Sequence, residues 1–251
     1  MFHDTRKLLV FLTIFTQCNA SSSADDRETL YNLTRFDGVA LILARGGSKG
    51  IPRKNLVTIS GISLLGRAIK TINESGAFSE IWVSTDSAEI AKEADKYGAK
   101  VHKRLENLAQ DTTPSIEAVQ DFIQGHPNVN SVALFQCTSV FLRTKYIHEA
   151  CRTFQNADCV FASTRDFKLR WVFDSEGKYI KPVNFDPLDR PRRQDWHGEL
   201  VETGMFYLTK RELLLDGTFQ NDRCKVVVID KDDALELDDF NDLKYARYLL
   251  E

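Results

Sequence analysis

The sequence predicts a doubly wound α/β domain, and three observations carry that prediction. Residues 38–44 form a continuous apolar run that ends in a glycine-rich loop; downstream, apolar runs alternate with segments of helical spacing; and no internal repeat competes with this pattern. A strand buried on both faces of a parallel sheet reads as unbroken apolar sequence, and strand–helix alternation implies right-handed crossovers between parallel strands.

The elements follow in order. After the first strand, Leu64, Leu65, Ala68, Ile69 and Ile72 recur at helical spacing and Gly76 supplies the stop. Residues 81–85 read as a strand, 88–97 as a helix closed by Gly98, 114–123 as a helix and 131–136 as a strand. A helix over 145–154 and a strand over 159–163 extend the alternation. Between Trp171 and Trp196 the pattern changes: Trp171-Val172-Phe173, a Ser-Glu-Gly turn and Tyr179-Ile180 read as a hairpin that leaves the sheet, followed by a basic stretch. Segments 204–208 and 225–229 and a last helix over about 241–250 return to the main fold.

With 251 residues, 43% apolar and 27% charged, the chain has the make-up of a globular protein with one sizeable core and a small lobe. Its net charge of −3 gives no global argument for nucleic acid or a membrane surface, so any phosphate-binding charge must be local. The first twenty residues stand apart. Arg6 and Lys7 precede the apolar run 8–15, and the small-residue step Cys18-Asn19-Ala20 follows, a secretory signal pattern over 1–20. The run is shorter than the roughly 20 residues a membrane span needs, so no span is expected after cleavage. Residues 21–36, polar and aperiodic, read as a stem ahead of a folded domain at 37–251.

Cleavage would leave Cys137, Cys151, Cys159 and Cys224, an even number whose pairing an oxidising compartment permits and whose spacing matches no zinc template. Sequons at Asn32 and Asn73 become glycosylation sites if the chain enters the secretory lumen.

In an open α/β sheet ligands gather beyond the carboxyl ends of the strands. The loop after the first strand carries Gly46, Gly47 and Gly50, which let backbone N–H groups approach phosphate, beside Ser48 and the charges of Arg45, Lys49, Arg53 and Lys54. Its spacing fits neither the Walker loop nor the dinucleotide fingerprint. On composition alone it could equally be a solvated basic turn.

The segment LARGGSKGIPRKNL at 43–56 resembles the first signature of the CMP-sialic acid synthetases, a family of sugar-activating cytidylyltransferases. Further blocks resemble that family in order: IWVSTD at 81–86, LAQDT at 108–112 with Ser115, FQCTS at 135–139, RPRRQDW at 190–196 and ETGMFY at 202–207. The likeness runs from about 39 to 251. It implies a Rossmann-like nucleotidyl-diphospho-transferase fold, with a mostly parallel sheet, helices on both faces and a small dimerisation lobe at 165–200. By the same resemblance, Arg45 and Lys54 hold the phosphates of CTP as the catalytic charges, Gly46, Gly47, Ser48 and Lys49 belong to the same phosphate loop, and Asn55, Arg104, Asp111 and Ser115 contact or border the nucleotide. Gln136 and Arg170 fall near the sugar, and Arg193 lies in a segment that the family uses between subunits. The structural alternatives are a polar strand end for Gln136 and a solvated hairpin face for the two arginines.

At 235–239 stands LELDD, where family members usually carry Asp-Ile-Asp. In an extended segment Glu236 and Asp238 project to one side, and two carboxylates on one face suit Mg²⁺, with Mn²⁺ as a substitute. The alternative is an acidic turn in which Asp238 or Asp239 caps the last helix. Val140 and Thr203 replace a proline and an asparagine common in the family.

These readings give one expected reaction: CTP and N-acylneuraminate yield CMP-sialic acid and pyrophosphate, catalysed by a homo-oligomer in the secretory pathway, in the Golgi lumen. The rivals are a cytidylyltransferase for another acidic keto-sugar and a non-catalytic lumenal protein that binds sugar nucleotides.

Overall fold

A computed structural model describes residues 35–251. The expected signal segment, nearly all of the stem and the Asn32 sequon lie outside the described residues. Phe36, placed by its sequence at the end of the expected stem, is 4% exposed and packs its ring 5.3 Å from Phe78 and 5.1 Å from Phe154, as part of the folded core.

A seven-stranded sheet organises the domain. Its strands are β1 (Val39–Leu43), β4 (Ile81–Thr85), β5 (Lys100–Lys103), β6 (Ser131–Phe135), β7 (Cys159–Asp166), β10 (Glu199–Lys210) and β11 (Cys224–Val228), in the order β11-β7-β10-β6-β1-β4-β5. Two short hairpins stand apart, β2 (Thr58–Ile59) with β3 (Ile62–Ser63) and β8 (Trp171–Phe173) with β9 (Ile180–Pro182). The helices are α1 (Leu64–Ser75), α2 (Ala88–Lys96), α3 (Ser115–Gly125), α4 (Thr144–Phe154), α5 (Arg211–Leu215) and α6 (Phe240–Leu250).

Both sheet faces are covered, as the unbroken apolar run of β1 requires. Ala40 and Ile42 join a cluster built with α1, α2 and α4, whereas Val39 and Leu41 join Val119, Phe122 and Ile123 of α3 on the other face. A third cluster seats α6 against the phosphate-loop side through Ile51, Ile59, Val140, Leu237, Leu243 and Ala246. Val140, expected as a departure from proline, is a buried member of it. Local signals set the helix ends. Ser63 accepts from the Gly66 N–H at 2.9 Å to start α1, and Gly76, at φ 63°, ends it.

The sheet departs from simple alternation in one strand. β10 runs antiparallel to both β6 and β7, and its register shifts between Glu202 and Tyr207. The outer parts of β7 and β10 pair with one another past the ends of the other strands, and the exposed β8–β9 hairpin follows β7 in the chain, within the segment 165–200 expected as a lobe. Cys159 and Cys224, opposite one another at the start of β7 and β11, form a disulfide; Cys137 and Cys151 are free and buried. Among the described residues no helix is long and apolar enough to cross a membrane.

Candidate functional site

The carboxyl ends of β1 and β6, with Arg104 just past β5, open onto a cleft of about 590 Å³. It brings together ten of the residues expected there: Arg45, Ser48, Lys49, Lys54, Asn55, Arg104, Asp111, Ser115, Gln136 and Asp238. They come from segments as distant as 45 and 238, which the parallel topology gathers at one sheet edge.

The loop after β1 supplies the cations. A one-turn 3-10 helix, Lys54–Leu56, follows Arg53, whose left-handed φ of 54° turns the chain sharply. Lys54 Nζ donates to the Leu237 carbonyl at 2.7 Å and lies 3.4 Å from Asp238. Asn55, buried, donates to the Arg45 carbonyl at 3.0 Å and accepts from the Cys137 thiol at 3.0 Å. Burial pushes that thiol up to about 12, which leaves it a donor rather than a nucleophile. The Gly46 N–H is taken by Asp86 at 2.8 Å. Arg53, expected among the phosphate charges, instead pairs with Glu89 of α2, and neither lines the cleft.

The facing wall comes from 104–115. Arg104 is 5% exposed and donates to the Ser84 hydroxyl at 3.1 Å and the Ser84 carbonyl at 2.7 Å. Burial lowers its guanidinium to about 10, so it keeps its charge at neutral pH. Asp111 reaches across to Arg45 and Lys49, and these two cations hold its carboxyl below the usual range, Lys49 contributing most. Ser115 opens α3, whose first turn faces the cleft with its partial positive end.

Gln136 continues β6 and sits against Gly204 of β10. A Cβ at Gly204 would stand 2.8 Å from Gln136 Nε2 and 2.9 Å from Glu236 Oε2, so glycine is required for the two side chains to converge. Glu236 accepts from the Thr138 hydroxyl at 3.2 Å. Burial, and then the nearby Asp238 charge, raises its pKa.

Asp239, not Asp238, caps α6, accepting from Asn241 N at 2.7 Å and Asp242 N at 3.0 Å. Leu237 is buried between Glu236 and Asp238, whose charges act on one another near Lys54. This hard, anionic oxygen pair fits a divalent cation such as Mg²⁺ that completes its shell with water and phosphate. Among the described residues no cluster of three or more His, Cys, Asp or Glu could hold an ion unaided. Gly50 ties the phosphate loop to this segment, since a Cβ there would fall 2.5 Å from the Asp238 carbonyl oxygen.

Arg170 and Arg193 do not line the cleft of their own chain. Arg170 makes a two-pronged pair with Glu199 at 2.7 and 2.8 Å, and the Arg193 guanidinium lies 5.2 Å from the Phe167 ring centre, both in the lobe. Gly46 and Gly47 shape the loop without lining the cleft. Sequence reasoning assigned no role to Asp86, Cys137 or Thr138. All three stand inside recognisable blocks, and their position just past the ends of β4 and β6 was the available signal.

Comparison with known proteins agrees with this geometry. The family profile described as cytidylyltransferase matches residues 39–243. A Danio rerio protein named N-acylneuraminate cytidylyltransferase A is 44% identical over 185 residues, 72% of this chain and 43% of its own length. The Campylobacter jejuni (strain 81-176) protein named pseudaminic acid cytidylyltransferase is 31% identical over 225 residues, 84% of this chain and 95% of its own. The chain thus spans less than half the length of the fish relatives it matches. A solved CMP:2-keto-3-deoxy-manno-octonic acid synthetase, complexed with CTP, shares the fold at TM-score 0.63 and 15% identity, covering 84% of this chain and 97% of that one. Taken with the cleft at the strand ends, the match over 39–243 means that this chain belongs to the cytidylyltransferase family.

Proposed function

We propose that the chain transfers CMP from CTP to N-acylneuraminate, releasing pyrophosphate. The observation that carries the reading is the convergence of Arg45, Lys49, Lys54 and Arg104 on one cleft that also holds Gln136 and the carboxylate of Asp238. Four cations suit a triphosphate, and the fish and bacterial relatives bear names of cytidylyltransferases for nine-carbon keto-sugar acids.

The sugar's anomeric hydroxyl attacks the α-phosphorus in line, and the α–β phosphoanhydride bond breaks. The protein's task is to orient both partners and to balance charge on the departing pyrophosphate. Arg45 and Lys54 face the phosphates, Asn55 and Ser115 the nucleoside side, and Gln136 the sugar. Glu236 and Asp238 would hold a divalent cation, Mg²⁺ or Mn²⁺, which would supply further charge neutralisation at the phosphates.

The reading extends to assembly and place. The exposed Trp171, Phe173 and Ile180 of the hairpin support a symmetric homo-oligomer in which Arg170 and Arg193 act near a subunit boundary. The leader pattern, the sequons and the Cys159–Cys224 bond support a secretory location in the Golgi lumen.

Pyrophosphate release from CTP, with N-acetylneuraminate, pseudaminic acid and 2-keto-3-deoxy-manno-octonic acid as acceptors, tests the proposal. Preference for N-acetylneuraminate supports it; preference for another acid transfers the reading to that sugar; no release with any acceptor leaves only a binding protein.

A further inference from the structure

Asp111 poses a problem for any triphosphate that enters the cleft. Its two carboxylate oxygens are divided between two cations of the phosphate loop: Oδ1 takes Arg45, and Oδ2 takes Lys49 at 2.5 Å. The Lys49 side chain is 84% exposed and among the described residues its ammonium group pairs with Asp111 alone, so Asp111 is what holds it over the cleft. The other cleft cations are engaged differently. Arg104 is anchored by neutral oxygens of Ser84, and Lys54 by the Leu237 carbonyl with Asp238 farther off. Asp111 therefore satisfies the same two groups that would meet the outer phosphates, and it does so from the opposite wall, across 66 residues of sequence.

A phosphate oxygen arriving at Arg45 and Lys49 lands beside a carboxylate already bound to them. Two anions cannot share these cations without repulsion, and the carboxylate is depressed by both cations, so it stays ionised in the neutral range and cannot yield by protonation. It can yield by moving. The segment from Gln110 to Thr113 lies at the cleft surface, and Asp111 sits in a turn between a one-turn 3-10 helix and α3.

We infer that Asp111 is a displaceable internal counter-ion that holds the phosphate loop in shape and tempers its affinity for phosphoanhydrides, pyrophosphate product included. This rests on the cytidylyltransferase reading of the cleft. The residue orders Arg45 and Lys49 before substrate arrives, which lowers the ordering cost on binding, and it competes for them afterwards, which favours release of a highly charged product. It positions the loop and takes no part in the bond changes.

The test is titration calorimetry of inorganic pyrophosphate, without added metal, against wild type, Asp111→Asn, Asp111→Ala and Asp111→Glu, with thermal melts on the same samples. Removing the competing charge should tighten pyrophosphate binding about threefold to tenfold in the Asn and Ala variants, the scale of surface ion pairs, while Glu stays near wild type. The KM for CTP and kcat should fall together in the Asn variant as product leaves more slowly. Unchanged or weaker pyrophosphate binding in folded Asn and Ala variants overturns the inference and makes Asp111 a net contributor to ligand affinity. If the wild type itself binds neither pyrophosphate nor CTP, the nucleotide reading of the cleft falls and this inference falls with it.

Discussion

Asp239 and Asp242 cap the start of α6 reciprocally, each side chain accepting from the other's backbone N–H at 3.0 Å, and this leaves Asp238 facing Lys54. Neighbouring carboxylates thus have separable duties. Glu236→Gln and Asp238→Asn should lower turnover by roughly two orders of magnitude or more with little change in melting, and added metal should partly rescue the weaker variant. Asp239→Ala should do the reverse, costing about 1 kcal/mol of stability with the site's chemistry retained. Turnover and melting curves on all three variants read the contrast directly, and normal activity in both of the first two would move the metal elsewhere.

The segment that carries those carboxylates is anchored behind the cleft. Asp233, 4% exposed, accepts both prongs of Arg143 at 2.7 and 2.6 Å and the Tyr146 hydroxyl at 2.7 Å. Burial alone would raise its pKa, yet the hydrogen bonds from Arg143 and Tyr146 outweigh it and the carboxyl sits below its ordinary value. A depressed carboxyl stabilises the fold above its unfolded pKa and loses that contribution as pH falls through the folded one. Asp233→Asn should therefore cost about 1–3 kcal/mol at neutral pH, and the gap to wild type should close below about pH 4. Denaturant titrations at pH 7 and in the acid range check both the size and the sign.

The thiol of Cys137 fixes which way the Asn55 amide points, since it donates to Oδ1 while Nδ2 donates to the Arg45 carbonyl. Cys137→Ala leaves that oxygen without its donor, and the KM for CTP should rise roughly threefold to tenfold with kcat nearly kept. Cys137→Ser retains a donor and should stay close to wild type. Equal effects of Ala and Ser would show that the contact is packing only.

The Cys159–Cys224 bond closes a separation of 65 residues and ties an edge strand to its neighbour. Reduction, or Cys159→Ala with Cys224→Ala, should cost about 2–4 kcal/mol. In animal cells the same chain should carry glycan on Asn73, which is exposed on the last turn of α1, and on Asn32. A gel shift on glycosidase treatment and a lower melting midpoint under reducing conditions are expected together. No shift, with nuclear or cytosolic staining, would reject the secretory location.

The hairpin leaves Trp171 47%, Phe173 66% and Ile180 56% exposed, more apolar surface than a free lobe gains from showing. Phe173→Lys with Ile180→Lys should bring the light-scattering mass down to that of one chain while the core stays folded. A wild-type chain that is active yet monomeric across dilution would count against the assembly.

Much of this was legible because buried parallel strands and amphipathic helices announce themselves by period. The strand at 81–85 and the helix at 88–97, with its stop at Gly98, stand within a residue of where the apolar pattern places them. The edge strand β5 escaped notice because its sequence, Lys-Val-His-Lys, is the charged pattern that protects an open edge. The direction of β10 escaped as well, since alternation fixes which face a residue takes and says nothing about which way the strand runs. In the cleft, residue types and order were readable, but the pairing of Asp111 with Lys49, or the turning of Arg53 toward Glu89, depends on loop paths that no local pattern encodes.

β10 spans 12 residues, about 40 Å of nearly extended chain, and runs from the lobe through the sheet. Near its middle, at the bulge, Gly204 touches Gln136 and Glu236. One continuous strand therefore joins Leu200 and Val201 at the outer end to the side chains of Gln136 and Glu236 at the bulge, so the lobe and the cleft wall share a single backbone element.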